Sequence, residues 1–240
     1  MQPRLWKRDM SPGILGKKIG MTQVWDAQGR RVAVTVIEAG PCPVVQVKAP
    51  EKDGYAAVQL GFGAQQARRL SKAQATRYEK AGVAPCRTLR EFRLAADETM
   101  KVGEQVTVAV FEGVARVDVS GTSKGRGFSG VVRRHSMAGG PMTHGGHSKR
   151  RIGGIGARDL PGWVHKGKRM PGHMGAVLRT ARNLIVVQVR TDDNLLLVQG
   201  AVPGPVGGVV VIHKALSQAV SKVPVAKAGK EVKGGKAAKK

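Results

Sequence analysis

Short runs of branched and apolar residues, bounded by Gly, Pro, Asn and Asp, occupy both ends of this chain. Residues 31–37, 44–47, 55–60, 89–94, 105–111 and 114–119 each read as a strand, as do 183–189, 195–198 and 209–212. Branched side chains suit a pleated, half-buried surface, and turn residues close each run. Gly13-Ile14-Leu15-Gly16 followed by Met21-Thr22-Gln23-Val24-Trp25 reads as a strand pair or one bent strand. Asp26-Ala27-Gln28-Gly29 and Asp192-Asp193-Asn194 read as turns, and Gly40-Pro41-Cys42-Pro43 as a break. The stretch 64–82 changes character. Ser71-Lys72-Ala73-Gln74 has the form of a capping box and Gly82 suits the residue after a helix end, so a helix of about ten residues fits between them. Many short strands with turn signals predict a mainly β protein built on a small closed β-barrel, with a short helical insertion near 64–82.

The pattern fails between 121 and 182. That stretch holds thirteen Lys and Arg, fifteen Gly, five of the six His, and one acid, Asp159. Ordering glycine costs backbone entropy, and an unpaired buried cation costs several kcal/mol, so no ordinary core can be written from it. Such a segment is either disordered in isolation or ordered by a polyanion. Strands flank it, so it reads as a long basic loop inserted into a β-domain. The expected organisation is an N-terminal extension over 1–12, a β-barrel domain over 13–120 and 183–213, the loop over 121–182, and a flexible basic tail over 214–240 with eight Lys and one acid, Glu231. The first ten residues lack the apolar centre of a signal peptide, and no apolar run approaches the ~18 residues of a transmembrane helix. The strand pattern begins only after Met10, which makes Met10 an alternative translation start.

Charge narrows the partner. Forty-one Lys and Arg against sixteen Asp and Glu give a net charge of +25. A chain this cationic repels itself unless an anion neutralises it, and nucleic acid is the commonest such anion. Aromatics are 4% of the chain, so phosphate and sugar contacts are expected to outnumber base stacking. The candidate RNA-binding residues are Lys124, Arg126, Arg133, Arg134, His135, His144, His147, Lys149, Arg150, Arg151, Arg158, Trp163, Lys166, Lys168, Arg169 and His173. Trp163 has two readings of equal weight, stacking on RNA or a small cluster with Ile152, Ile155, Leu160 and Val164.

Other chemistries fit poorly. Gly125-Arg126-Gly127-Phe128-Ser129-Gly130 matches the dinucleotide fingerprint in form, but the acid required some 20 residues later falls among His147 to Arg151. A phosphate-contacting turn suits it better, and no cofactor is expected. The loop's histidines lack Cys neighbours and have one carboxylate nearby, so no metal site is expected. Ser123 and Ser129 have no evident Asp–His pair, and no catalytic residue is expected. Cys42 and Cys86 make no zinc pattern; at most they form one disulfide, and they read better as thiols of a reducing cytosol. A free-standing nucleic-acid chaperone or DNA-compacting protein, and an enzyme with a Gly-rich phosphate loop, are the competing functions.

Five ordered blocks carry a resemblance. They are Gly13-Ile14-Leu15-Gly16-Lys17-Lys18-Ile19-Gly20-Met21-Thr22; Ala39-Gly40-Pro41-Cys42-Pro43-Val44-Val45-Gln46; Val119-Ser120-Gly121-Thr122-Ser123-Lys124-Gly125-Arg126-Gly127-Phe128; Lys166-Gly167-Lys168-Arg169-Met170 through Gly172-His173-Met174-Gly175; and Asn194-Leu195-Leu196-Leu197-Val198 through Gly200-Ala201-Val202-Pro203-Gly204. Together they resemble bacterial-type large-subunit ribosomal protein number three, over roughly residues 13–213. The resemblance implies a translation-protein β-barrel on the outer face of the large subunit and a loop driven through ribosomal RNA toward the peptidyl transferase centre. It implies early binding in subunit assembly, contacts with neighbouring large-subunit ribosomal proteins, a cytoplasmic location in the ribosome, and no chemistry, membrane or small-molecule substrate. Some bacterial members carry a methylated Gln after the Ile-Gly step near the loop tip. Here Ala157 follows Ile155-Gly156, so that modification is not expected. Residues 148–160 also depart from the family pattern.

Overall fold

The computed structural model describes residues 13–26, 28–94 and 100–215. The extension over 1–12, Ala27 of the first turn, and the tail beyond Ala215 lie outside the described residues. Strand β1 (Ile14–Trp25) is one long strand with a register shift between Lys18 and Gly20, the bent alternative of the two sequence readings. The turn after it is held by Asp26, whose carboxylate accepts from the backbone N–H of Gln28 at 2.8 Å and of Arg30 at 3.0 Å. Strand β2 (Arg31–Ala39) returns antiparallel to β1.

After the cis Gly40–Pro41 break the chain leaves this pairing. Strands β3 (Cys42–Lys48), β4 (Ala57–Ala64), β5 (Cys86–Arg93) and β6 (Gln105–Val106) form a separate four-stranded sheet in the order β5-β4-β3-β6. A short helix, α1 (Pro50–Asp53), joins β3 to β4. The sequence places these strands with the barrel, because a strand pattern shows that an edge exists and not which edge it meets. Residues 105–111 also differ from expectation. Only Gln105 and Val106 pair, and 108–111 fold into a 3₁₀ turn that buries Val108 and Phe111 completely. Apolar residues three apart share a face in that turn, so the same pattern fits either conformation.

Helix α2 (Lys72–Ala81) forms where the capping signals lie. The Ser71 hydroxyl accepts from the Gln74 N–H at 3.4 Å, and Gly82 ends the helix at φ +63°. Tyr78 on its inner face packs with Val45 and Cys86, and its hydroxyl donates to the Cys86 carbonyl at 3.0 Å.

The remaining long strands are β7 (Arg116–Thr122), β10 (Leu178–Arg190), β11 (Leu195–Gln199) and β12 (Val209–Lys214). With β1 and β2 they close into a six-stranded barrel, β1-β12-β7-β10-β11-β2. Its interior residues, among them Leu15, Ile37, Val119, Leu196, Val198 and Ile212, are continuous with Val44, Leu60, Phe92 and Phe111 of the second sheet in one hydrophobic core. Lys18 is buried beside this core and donates from Nζ to the Val202 carbonyl at 2.8 Å, in the connection between β11 and β12. Both cysteines are free and buried. Burial pushes the Cys42 thiol up to about 12, which leaves it without thiolate character at neutral pH.

The described residues divide into two units, one running up to Gly121 and from Thr180 onward, the other Thr122–Arg179. The chain leaves the ring at the end of β7 and re-enters at β10, its neighbour in the ring. The strands reach further into 121–182 than expected, since β7 runs to Thr122 and β10 begins at Leu178.

His213 on β12 stacks obliquely on Phe92, with ring centroids 5.3 Å apart. Burial holds its pKa below the ordinary value of 6.5, with Asp118 opposing the shift. As pH falls through about 6.5 the unfolded chain takes a proton that the folded one resists, so this group's stability is lost on acidification. The His213→Gln variant is expected to lose less thermal stability than the parent between about pH 7.5 and 5.5. Equal losses in melting curves would show that His213 does not supply this dependence.

Candidate nucleic-acid interface

The unit Thr122–Arg179 is a basic arm with almost nothing inside it. Its buried residues are Ser129 and Val131. Twelve Lys and Arg and one acid, Asp159, lie along it. Asp159 sits 3.7 Å from Arg158 with both side chains about nine-tenths exposed, a geometry that contributes little. Backbone pairing therefore organises the arm, not packing or charge compensation.

At its base two limbs run side by side. The Ser123 N–H donates to the Val177 carbonyl at 3.0 Å, the Arg126 N–H to Met174 at 2.8 Å, and the Met174 N–H to Gly127 at 3.0 Å. They lead into a two-stranded ribbon, β8 (Phe128–Ser129) with β9 (Gly172–His173), in which Phe128 faces His173 and Ser129 faces Gly172. Gly175 permits this approach. Its φ is +79°, and a Cβ there would collide with the Lys124 carbonyl and lie 3.0 Å from the Arg126 nitrogen.

Helix α3 (Val131–His135) follows, with Arg133, Arg134 and His135 in its last turn. The Arg134 guanidinium donates from Nη1 to the Met170 carbonyl at 2.7 Å, and His135 Nε2 lies 3.0 Å from the same oxygen. These two side chains tie the outgoing limb to the returning one. Further out, the Gly140 N–H donates to the Lys149 carbonyl at 3.2 Å and the Arg151 N–H to Ser148 at 3.2 Å. A Cβ on Gly139 would meet the Lys149 carbonyl, so this crossing also depends on glycine. Lys149, Arg150 and Arg151 thus project from a closed turn, all exposed. The Trp163 and His165 rings lie 4.9 Å apart, tilted by 58°.

Of the sixteen sequence candidates, Arg134 and His135 are partly covered and the rest are exposed. Lys124, Arg126 and His173 belong to the paired base of the arm, and Arg133 to α3. Lys149, Arg150 and Arg151 share the outer turn, with His144 and His147 just before it. Arg158, Lys166, Lys168 and Arg169 lie on the irregular return. Trp163 is 55% exposed, and Leu160 beside it is 86% exposed, so no closed apolar cluster forms around it. The sequence reading passed over Phe128, which is 79% exposed on the ribbon. Period-two alternation places Phe128 and Ser129 on opposite faces, but it does not say which face is outward. A helix does follow the glycines at 125–130. It spans five residues, and strand β8 lies inside the motif, between Gly127 and Gly130, so these residues do not follow the strand–turn–helix order of the dinucleotide fingerprint.

Among the described residues no group of three His, Cys, Asp or Glu is placed to hold a metal ion. No helix among them is long and apolar enough to cross a membrane.

The sequence profile of ribosomal protein L3 matches residues 79–195, a span containing the whole arm. The large ribosomal subunit protein uL3 of Pelotomaculum thermopropionicum is 52% identical over 206 residues, covering 86% of this chain and 98% of its own. That of Deinococcus radiodurans is 49% identical over 219 residues, covering 91% and 99%. That of Brachyspira pilosicoli is 49% identical over 203 residues, covering 85% and 93%. The chain belongs to the ribosomal protein L3 family. The family resemblance read from the five sequence blocks is thereby established, and the L3 assignment extends over both the barrel and the arm.

The glycine-dependent crossing in this L3-family arm can be tested directly. Ala at position 175 adds left-handed strain and a backbone collision, on the order of 1–3 kcal/mol, to the arm conformation. The Gly175→Ala variant is expected to bind RNA roughly 5–150-fold more weakly while its thermal midpoint, set by the barrel core, stays unchanged. Unchanged RNA affinity in a filter-binding titration would show that the paired base is not part of the interface.

Proposed function

We propose that this chain is a structural constituent of the large ribosomal subunit and that it binds ribosomal RNA through the arm Thr122–Arg179. One observation carries the reading: twelve cations and one acid stand on a segment that buries only Ser129 and Val131. A segment with no core and a single internal counter-charge gains its stability from an external polyanion. The relatives are large ribosomal subunit proteins, which points to ribosomal RNA as that polyanion.

In this reading the barrel is of the translation-protein type and is the anchor, seated at the subunit surface among neighbouring ribosomal proteins. The arm threads between RNA helices toward the peptidyl transferase centre, and binding occurs early in assembly, in the cytoplasm. Arginine grips phosphate with a planar two-pronged donor set, and Arg126, Arg133, Arg150, Arg151, Arg158 and Arg169 are all exposed for it. Lys124, Lys149, Lys166 and Lys168 add point charge, and His144, His147 and His173 add contacts to sugar and phosphate. Arg134 and His135 shape the arm through Met170 as well as facing RNA. Trp163 offers an exposed ring for stacking. The role is architectural: no catalytic residue, cofactor or metal enters it.

If the arm neutralises about 6–10 phosphates, RNA affinity falls roughly 10³–10⁵-fold between ~50 and ~200 mM salt, on the scale set by duplex DNA. A nearly flat response in the same titration would remove the phosphate-contact argument.

The arm, not the C-terminal tail, is the functional element. Replacing Lys149, Arg150 and Arg151 together with Ala is expected to impair subunit assembly or peptide-bond formation, read by gradient profiles and a translation assay on purified subunits. Deleting 216–240 is expected to weaken early association modestly while mature subunits still form, because the charge that its lysines add acts at long range and is screened by salt. Greater damage from the tail deletion would contradict this division.

A further inference from the structure

Phe128 is out of place by ordinary folding physics. A ring left 79% exposed gains little from burial, yet it sits in a paired ribbon that turns it outward. Its neighbour Ser129 is 3% exposed, so the outward turn of Phe128 is fixed by strand alternation. The register places His173 directly across from it, also exposed, at the separation of cross-strand neighbours. Hydrogen bonds on the near side, from Arg126 to Met174 and from Met174 to Gly127, keep the two limbs in register. Lys124 and Arg126 stand just before the ring and are both exposed.

We infer that Phe128, with His173 beside it, is a stacking platform for one unpaired base of the bound RNA. This rests on the RNA-binding reading above and names a residue and a kind of contact within it. Charge decides between occupants. The ring follows Lys124 and Arg126 in the chain and pairs across the ribbon with His173, on an arm whose single acid, Asp159, lies far along the chain. A protein partner burying Phe128 would also have to cover those cations. A nucleotide supplies an apolar face for the ring and a phosphate for Lys124 or Arg126 in one unit. The base must be unpaired, because bases inside a duplex are covered on both faces by their neighbours. The contact reads a base face and not an edge, so it tolerates any of the four bases.

The test compares the full chain with its Phe128→Leu and Phe128→Tyr variants, using purified large-subunit ribosomal RNA. Leu keeps an apolar side chain and removes the ring; Tyr keeps the ring. Phe128→Leu is expected to weaken binding roughly 5–150-fold, the range for losing one aromatic–base stack. The dependence on salt should be unchanged, because no phosphate contact is lost. Phe128→Tyr should bind like the parent, and zero-length ultraviolet cross-linking should join the peptide containing Phe128 to a nucleotide. Parent-like binding by Phe128→Leu overturns the inference while a steep salt response of the parent still supports RNA binding. Equal loss in both variants without a cross-link also overturns it, since that pattern marks a structural role. So does normal binding to naked RNA combined with loss of the Leu variant from assembled subunits, which assigns the ring to a protein neighbour. A parent that does not bind the RNA defeats the RNA-binding reading itself.

Discussion

The cations of Thr122–Arg179 cannot be neutralised from within, and the rest of the molecule is arranged around that fact. Asp159 is the arm's one acid, and its exposed pairing with Arg158 at 3.7 Å is weak. Apolar burial cannot offset the repulsion, because Val131 is the arm's one buried apolar side chain. Ordering a residue costs roughly 1–2 kcal/mol of backbone entropy, and the arm's own hydrogen bonds each return about 1 kcal/mol net. In the proposed function a polyanion makes up the deficit. The same features that deny the arm a core suit the proposed role: glycine lets backbone approach backbone, and every cation but the partly covered Arg134 is exposed.

The barrel supplies what the arm lacks. Its core joins the six-stranded ring to the second sheet through Leu15, Ile37, Val44, Leu60, Phe92, Phe111, Leu196 and Ile212. Both limbs of the arm spring from neighbouring strands of the ring, β7 and β10, so the ends of a very long insertion are already close. Loop-closure entropy grows only slowly with length once the ends are fixed, which is why such an insertion is tolerated. Within the arm, Gly175 and the Arg134–Met170 tie hold the two limbs together, and a further turn presents Lys149, Arg150 and Arg151.

Much of this was legible in the sequence, and where legibility failed the reasons are physical. Branched runs between turn residues located nearly every strand, and Ser71, Gln74 and Gly82 marked α2 to within a residue, since capping is a local interaction. The contrast between branched flanks and a Gly- and Arg-rich centre located the arm. Sheet membership was not legible. Nothing local in β3 or β4 says that they leave the ring after Gly40–Pro41. At 105–111 an apolar pattern that fits a strand also fits the 3₁₀ turn that buries Val108 and Phe111. The candidate cations could be named from charge alone, but not the covering of Arg134 and His135, which depends on a carbonyl thirty-odd residues away. The outward ring of Phe128 was hidden for the same reason, because alternation gives two faces and only the fold says which one meets solvent.

The central claim is that RNA supplies the order the arm cannot supply for itself. Amide hydrogen exchange on the full chain, free and bound to large-subunit ribosomal RNA, tests it most directly. The account predicts protected amides in β1, β2, β11 and β12 in both states, and strong protection across 122–179 only with RNA present. Arm amides as well protected in the free protein as those of the barrel would contradict it.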